Sequence, residues 1–361
     1  MKPLKIAILS CNHGHAKGYY DLVNDPLFDL VGVSVAPGAE ALNLLDPSVP
    51  RYNSDEELYA AHPDLEAVII ASDNKRHLSQ VKAAAERGIH IFSMKIPSFL
   101  LDEYREMIEA VEKAGVVCQI ELEMRNHAPL HRVKELIDSG AIGDLLSVSM
   151  TNYSHNPVWW RPWQCDPEES FCARVPLRPD DERFRGGALA DHPHIFDMMR
   201  YITGQSFDKL YAEVAPNLRE GIETEDMVRV IGKMKNGVIF SIDPSYANDE
   251  HKVTVQVDWE KYPQCVEVYM SAVGTKGTII ADLYGKTYYC QRGKGGEYMC
   301  NMLESPGVWN RRTQEFHDCI RYGIKPTVDL RDHYESIVAM LVGYDSITTG
   351  QVMSVDAKLD I

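Results

Sequence analysis

The sequence predicts an α/β domain with a parallel sheet, followed by an α+β domain with a mixed, mainly antiparallel sheet. Three observations carry that prediction. Up to residue 122, short apolar runs alternate with amphipathic stretches, the grammar of strands joined by crossover helices. Beyond that point strand-like segments follow one another with few helices between them. Finally, 361 residues are more than one ordinary hydrophobic core organises, so two cores are expected.

Leu4 to Ser10 (LKIAILS) has the length and apolar continuity of a buried parallel strand and breaks into a polar loop before a helix over Ala16 to Val23. The pattern repeats with strands at Leu30 to Val35, Ala67 to Ala71, His90 to Ser93 and Val116 to Ile120. Between them, His77 to Arg87 and Asp102 to Ala114 read as helices closed by Gly88 and Gly115, where a left-handed residue is favoured. Right-handed crossovers then give a Rossmann-like dinucleotide-binding domain over residues 1–122. Residues 123–361 form the expected substrate and oligomerisation domain. Its helices are Leu130 to Ser139 (closed by Gly140), Ala188 to Ile202, Thr313 to Tyr322 and Asp332 to Thr348. Its strands are Leu145 to Tyr153, Met227 to Met234, Val238 to Ile242, Val253 to Trp259, Val266 to Ser271 and Thr278 to Ala281.

Composition narrows the function. With 45% hydrophobic and 25% charged residues the chain is an ordinary globular one. Its 37 basic and 53 acidic residues leave a formal charge of -16, which repels phosphate backbones and anionic lipid and speaks against a nucleic-acid or membrane partner. The apolar run at the start is too short for a signal peptide and no stretch is long enough to span a bilayer, so a cytoplasmic protein is expected. Eight scattered cysteines without a C-x-x-C pair read as reduced, structural thiols.

The candidate site residues fall where strands end. Ser10-Cys11-Asn12-His13-Gly14-His15 follows the first strand, where a dinucleotide fold offers backbone N–H groups to a pyrophosphate; only Gly14 keeps glycine chemistry, and a plain strand-to-helix loop fits the segment equally. The second strand ends in Ser34-Val35-Ala36-Pro37 without the Asp or Glu that binds ribose hydroxyls, and without an Arg for a 2′-phosphate. After the third strand, Ser72, Asp73, Asn74 and His77 can contact a ligand or cap the next helix. Lys95, in Met94-Lys95-Ile96-Pro97, can hold a substrate hydroxyl or remain an ordinary surface lysine. Farther on, Gly186-Gly187 leads into Asp191, His192 and His194, which concentrate acid and base capacity at a helix start. With His127 and His131 as further candidates this cluster does not by itself make a metal site, and no metal is expected. Trp159, Trp160 and Arg161, within Tyr153 to Phe184, suit a lid that stacks on a sugar ring or, equally, a subunit contact.

Taken in order, these segments resemble the glucose-fructose oxidoreductase, inositol dehydrogenase and MocA family over nearly the whole chain. Met94-Lys95-Ile96 stands where the family has Glu-Lys-Pro, and Gly186 to Asp191 is similar to its Gly-Gly-x-Leu-x-Asp. The family's His and second Asp follow that Asp at four and seven residues; here His194 and Asp197 come at three and six, and His192 stays a rival. Gly274-Thr275-Lys276-Gly277-Thr278 and the stretch from Glu315-Phe316 to Thr349-Gly350-Gln351 also resemble the family's second-domain pattern. The resemblance implies an NAD(P)-dependent oxidoreductase acting on a hydroxyl or keto group of a sugar, sugar acid or cyclitol, with the active site between the two domains. NAD is preferred to NADP as the cofactor. Lys95 would help deprotonate the hydroxyl, with His194 as base oriented by Asp191. Ser10, Asn12, His13, Gly14, His15, Ser72, Asn74, His77, Lys95 and Arg125 would line the nucleotide, and a homo-oligomer is expected. Two rival readings stay open: a redox-neutral lyase, epimerase or hydrolase with tightly held NAD, and a non-catalytic sugar or nucleotide sensor.

Overall fold

The computed structural model describes residues 2–11, 14–35, 46–72, 74–154, 187–217, 225–246, 266–284, 287–292, 295–299 and 308–359. The expected strand at Val253 to Trp259 lies outside them, as do Asn12, His13, Trp159, Trp160 and Arg161. Two compact units emerge from the chain's internal contacts. The first takes the chain to Leu122 and, much later, the stretch up to Tyr334; the second takes the described chain from Glu123 up to the start of that stretch, and then from Glu335 on.

The first unit is built on β1 (Leu4–Leu9), β2 (Phe28–Ser34), β3 (Arg51–Tyr52), β4 (Ala67–Ile70), β5 (His90–Ser93) and β6 (Cys118–Ile120), with α1 (Asp55–Ala61), α2 (Asn74–Glu86) and α3 (Leu101–Ala114) between them. All strand pairs of this unit among the described residues are parallel, in the order β3-β2-β1-β4-β5-β6. Strand order therefore reverses between β1 and β4, a topological switch point at whose carboxyl edge ligands settle in open α/β sheets. Because both faces are covered, β1 and β4 are buried at nearly every position. Gly88 and Gly115 take positive φ (71° and 66°) as the helix closures they were expected to be. The expected helix after β1 is instead a 3-10 helix over Gly14–Asn24.

The segment after residue 308 returns to this unit because its side chains complete the unit's core. In α7 (Val308–Tyr322) Phe316 meets Phe92 edge-on with ring centroids 5.4 Å apart. Gln119 on β6 donates to Glu315 at 3.2 Å. Arg312, only 1% exposed, donates to Glu121 just past β6, which is 0% exposed.

The second unit holds α4 (Ala128–Asp138), β7 (Leu145–Ser154), α5 (Ala188–Asp191), α6 (Pro193–Thr203), β8 (Phe207–Val214), β9 (Val228–Met234), β10 (Ile239–Ser245), β11 (Val266–Gly274), β12 (Gly277–Asp282), β13 (Thr287–Arg292) and β14 (Gly295–Met299). The end of α8 (Leu330–Thr349) and β15 (Met353–Ser354) complete it. The sheet runs β14-β13-β12-β11-β7-β10-β9-β8-β15, and among the described residues only β7–β10 pair in parallel. Cross-strand partners share a face, so Val230, Ile242, Met150, Met270 and Ala281 line one side and are buried. Ile231, Ser241, Ser149, Ser271, Ile280 and Tyr289 stand on the other, where Ile231 is 49% and Ile280 55% exposed. The Gly274 to Thr278 motif is the β11–β12 turn; a Cβ at Gly274 would lie 2.3 Å from the Ile142 carbonyl, so that approach requires glycine.

The helix expected over Ala188 to Ile202 is two helices. Pro193 lacks the N–H that a continuous helix would need there, so α5 stops at Asp191 and α6 starts at Pro193, a favoured first position. Among the described residues no helix is long and apolar enough to cross a membrane.

Removing one member of the fully buried Glu121–Arg312 pair leaves an uncompensated charge. Arg312→Met is therefore expected to destabilise the protein by ~3–5 kcal/mol, read as a lowered urea midpoint.

Candidate active site

At the carboxyl edge of the parallel sheet the chain leaves β1 through two left-handed residues, Ser10 (φ 70°) and Cys11 (φ 46°). Glycine would adopt that turn freely; Ser and Cys hold it at a cost of about 1–2 kcal/mol each. The Ser10 N–H donates to Ser34 Oγ at 2.8 Å, and Ser34 Oγ in turn donates to Asp55. Gln80 on α2 donates to Ser10 Oγ at 2.8 Å and to Asp55 Oδ2 at 2.7 Å, while accepting from Ser72 Oγ at 2.6 Å. One polar network thus joins the ends of β1, β2 and β4 across the switch point. Gly14 and the main chain of His15 open the 3-10 helix that follows.

Asn74 and His77 meet the next loop over. Asn74 Nδ2 donates to the Ile96 carbonyl, and His77 Nδ1 lies 3.1 Å from the carbonyl oxygens of both Ile96 and Pro97. His77 Nε2 lies 3.2 Å from the Ser72 carbonyl. Both residues are buried and fasten the loop that carries Lys95, itself 7% exposed, after β5. The peptide between Lys95 and Ile96 is cis.

In the second unit the polar groups gather around α5 and α6. Tyr246, fully buried just past β10, donates its hydroxyl to Asp191 Oδ2 at 3.0 Å, and its ring lies 5.4 Å from that of His192. His192 Nδ1 donates to the Ala188 carbonyl at 2.6 Å and so closes α5. His194, 3% exposed, places Nε2 3.3 Å from Glu123 Oε1 on the 3-10 turn Glu123–Asn126. A carboxylate there fixes the orientation of the ring. Arg125, one turn on, is held by both oxygens of buried Asp197 (Nη2 to Oδ1, 2.9 Å) and lies 4.5 Å over the Tyr201 ring.

Glu225 explains the glycine before α5. Its Oε1 accepts from Tyr344 OH at 2.6 Å and from the Leu189 N–H at 3.1 Å, and its carbonyl accepts the Ala188 N–H at 2.9 Å. A Cβ on Gly187 would lie 2.4 Å from the Glu225 carboxyl carbon, carbonyl oxygen and Oε2. Burial, against the pull of those donors, pushes the carboxyl up to about 7.

Sequence reasoning did not single out Asp55, Glu123, Glu225 or Tyr246. Each reaches its partner across 21 to 119 residues, a separation that leaves no local pattern. Among the described residues no group of three or more His, Cys, Asp or Glu is placed to hold a metal ion.

A parallel sheet of this order with polar groups gathered at its switch point defines a dinucleotide-binding domain of the oxidoreductase type. Comparison with known proteins agrees. Residues 11–122 match the oxidoreductase family with an NAD-binding Rossmann fold, and residues 130–280 match the GFO/IDH/MocA C-terminal domain. The chain belongs to the glucose-fructose oxidoreductase, inositol dehydrogenase and MocA family and is an NAD(P)-dependent dehydrogenase or reductase. It is 32% identical to the oxidoreductase YrbE of Bacillus subtilis over 61% of this chain and 56% of that protein. It is 28% identical to the myo-inositol 2-dehydrogenase of Thermotoga maritima over 78% of this chain and 76% of the relative. The crystal structure of an oxidoreductase from Agrobacterium radiobacter in complex with NAD+, L-tartaric acid and magnesium shares the fold, with a TM-score of 0.78, 19% identity and 99% of both chains covered.

The Glu225 carboxyl gives the protein a stability that depends on pH. The folded chain keeps this proton up to about 7, whereas the unfolded chain releases it near 4.5. Stability is therefore expected to fall as pH rises through that window, by on the order of 3 kcal/mol. In Glu225→Gln, which stays neutral throughout, that fall should be missing from urea unfolding curves measured across the same pH range.

Proposed function

We propose that this protein oxidises a secondary hydroxyl, or reduces the corresponding ketone, of a sugar, sugar acid or cyclitol, with NAD as its partner in hydride transfer. The observation that carries the reading is the pair of oriented groups at the end of α5 and the start of α6: Asp191 held by Tyr246, and His194 held by Glu123. With Nε2–H turned to the Glu123 carboxylate, Nδ1 of His194 is the nitrogen that takes the hydroxyl proton. Asp191 accepts hydrogen bonds from neighbouring substrate hydroxyls. Lys95, on a loop pinned by Asn74 and His77, holds the reacting oxygen and favours its anionic form. When bound, the nicotinamide dinucleotide supplies the hydride acceptor or donor. His192 serves α5 as its closing hydrogen bond. A polyol substrate agrees with the myo-inositol named for one relative, and the chain's acidic surface suits a neutral sugar more than a phosphorylated one.

The test is nicotinamide absorbance of the purified protein with NAD+ and a panel of cyclitols, aldoses and aldonic acids. A substrate-dependent rise is expected, and its absence with every member of the panel would sink the reading. Lys95→Ala and His194→Asn should each lower kcat by about 10²–10⁴-fold, and His194→Asn should leave the Kd for NAD+ nearly unchanged.

We further infer that the open face of the nine-stranded sheet joins copies of the chain. Ile231, Ile239 and Ile280 stand 49–58% exposed there, beside a hollow of about 590 Å³ floored by Gly232 and Phe240. Monomers seldom leave several large aliphatic side chains exposed on one sheet face. Ile231→Glu should lower the solution mass measured by light scattering to that of one chain; an unchanged mass would overturn the assignment.

A further inference from the structure

We propose that Asp55 is the carboxylate that recognises the adenosine ribose hydroxyls and selects NAD over NADP, taking the place of the acid that the end of β2 lacks. The proposal rests on the nicotinamide-dependent reading above. In a dinucleotide fold that acid belongs at the end of the second strand, and here Ser34-Val35-Ala36 stands instead. Asp55 comes from the start of α1, yet its carboxylate arrives at the same strand end, because Ser34 Oγ, on the last residue of β2, donates to Oδ1. Gln80, reaching over from α2, donates to Oδ2 at 2.7 Å and to Ser10 Oγ at 2.8 Å. The carboxylate is thus tied to the left-handed turn after β1, the place where a pyrophosphate is received.

Its setting is that of a receptor group more than of a buried brace. Ser10, Ser34, Ser72 and Gln80 are all buried, while Asp55 is half-buried. A carboxylate offers about four lone-pair directions, and the hydrogen bonds from Ser34 and Gln80 take two. The remaining acceptor capacity suits the 2′- and 3′-hydroxyls of one ribose. The same negative charge repels a 2′-phosphate, and a site built to accept from a hydroxyl discriminates strongly against a group that cannot donate to it.

The experiment is calorimetric titration of the full-length protein with NAD+ and NADP+, for the wild type and Asp55→Asn. The amide can still donate to Ser34 Oγ and accept from Gln80, so the network is kept while the charge is removed. The wild type is expected to bind NAD+ at least about tenfold tighter than NADP+, and Asp55→Asn to weaken NAD+ roughly tenfold and bring the two Kd values together. A wild type that binds NADP+ as tightly as NAD+ overturns the proposal without recourse to the variant. NAD+ binding whose preference over NADP+ survives in Asp55→Asn removes the role of Asp55 and leaves the dehydrogenase reading standing. A wild type that binds neither nucleotide overturns both.

Discussion

A carboxylate withdrawn from water has to be met by a cation or by hydrogen-bond donors, and both units of this protein are tied together around carboxylates in that condition. In the first, Glu121 draws Arg312 back to the parallel sheet across 191 residues. In the second, Asp197 holds Arg125, Asp191 takes the Tyr246 hydroxyl, and Glu225 gathers Tyr344 and the start of α5. Such a pin adds little net stability against an apolar replacement of the same shape. Its effect is specificity: an alternative packing would strand a charge, so the segments that bear functional groups are held to one arrangement.

Glu225 shows how the obligation can be met differently. It has two donors and no cation among the contacts described, and burial outweighs them, so the carboxyl is pushed up to about 7 and keeps its proton through the acidic range. Glycine at position 187 follows from that choice, since the carboxyl lies directly against its α-carbon. Gly187 is therefore a packing requirement of the helix that ends in Asp191.

Much of the first unit was legible because its signals are local. Apolar runs of strand length, amphipathic stretches between them and a glycine at each helix closure depend only on near neighbours, and Gly88, Gly115 and Gly140 all take the positive φ that reading required. Two local rules were misapplied: Pro193 divides a stretch that hydrophobic spacing alone reads as one helix, and the turn after Leu9 is left-handed at Ser10 and Cys11 although neither is glycine. Strand β8, FDKLYAEV, has no regular alternation to read, because Asp208 and Lys209 stand side by side and Glu213 follows four residues later. Lys95, Asp191 and His194 are singled out by their place in a motif order. Their partners Tyr246 and Glu123 are not, since a hydrogen bond formed across 55 or 71 residues has no spacing to read.

The parallel pairing of β7 with β10 has a further consequence. Strands β7 and β10 run side by side in the same direction, so the chain that leaves β7 must travel back before β10 can begin. That excursion carries α5, α6, β8 and β9, and β10 delivers Tyr246 to Asp191 as it ends. The ladder between the two strands is indifferent to the length or content of the journey. The connection between the two strands can therefore change in length and content while the hydrogen bonds that hold the sheet together stay as they are.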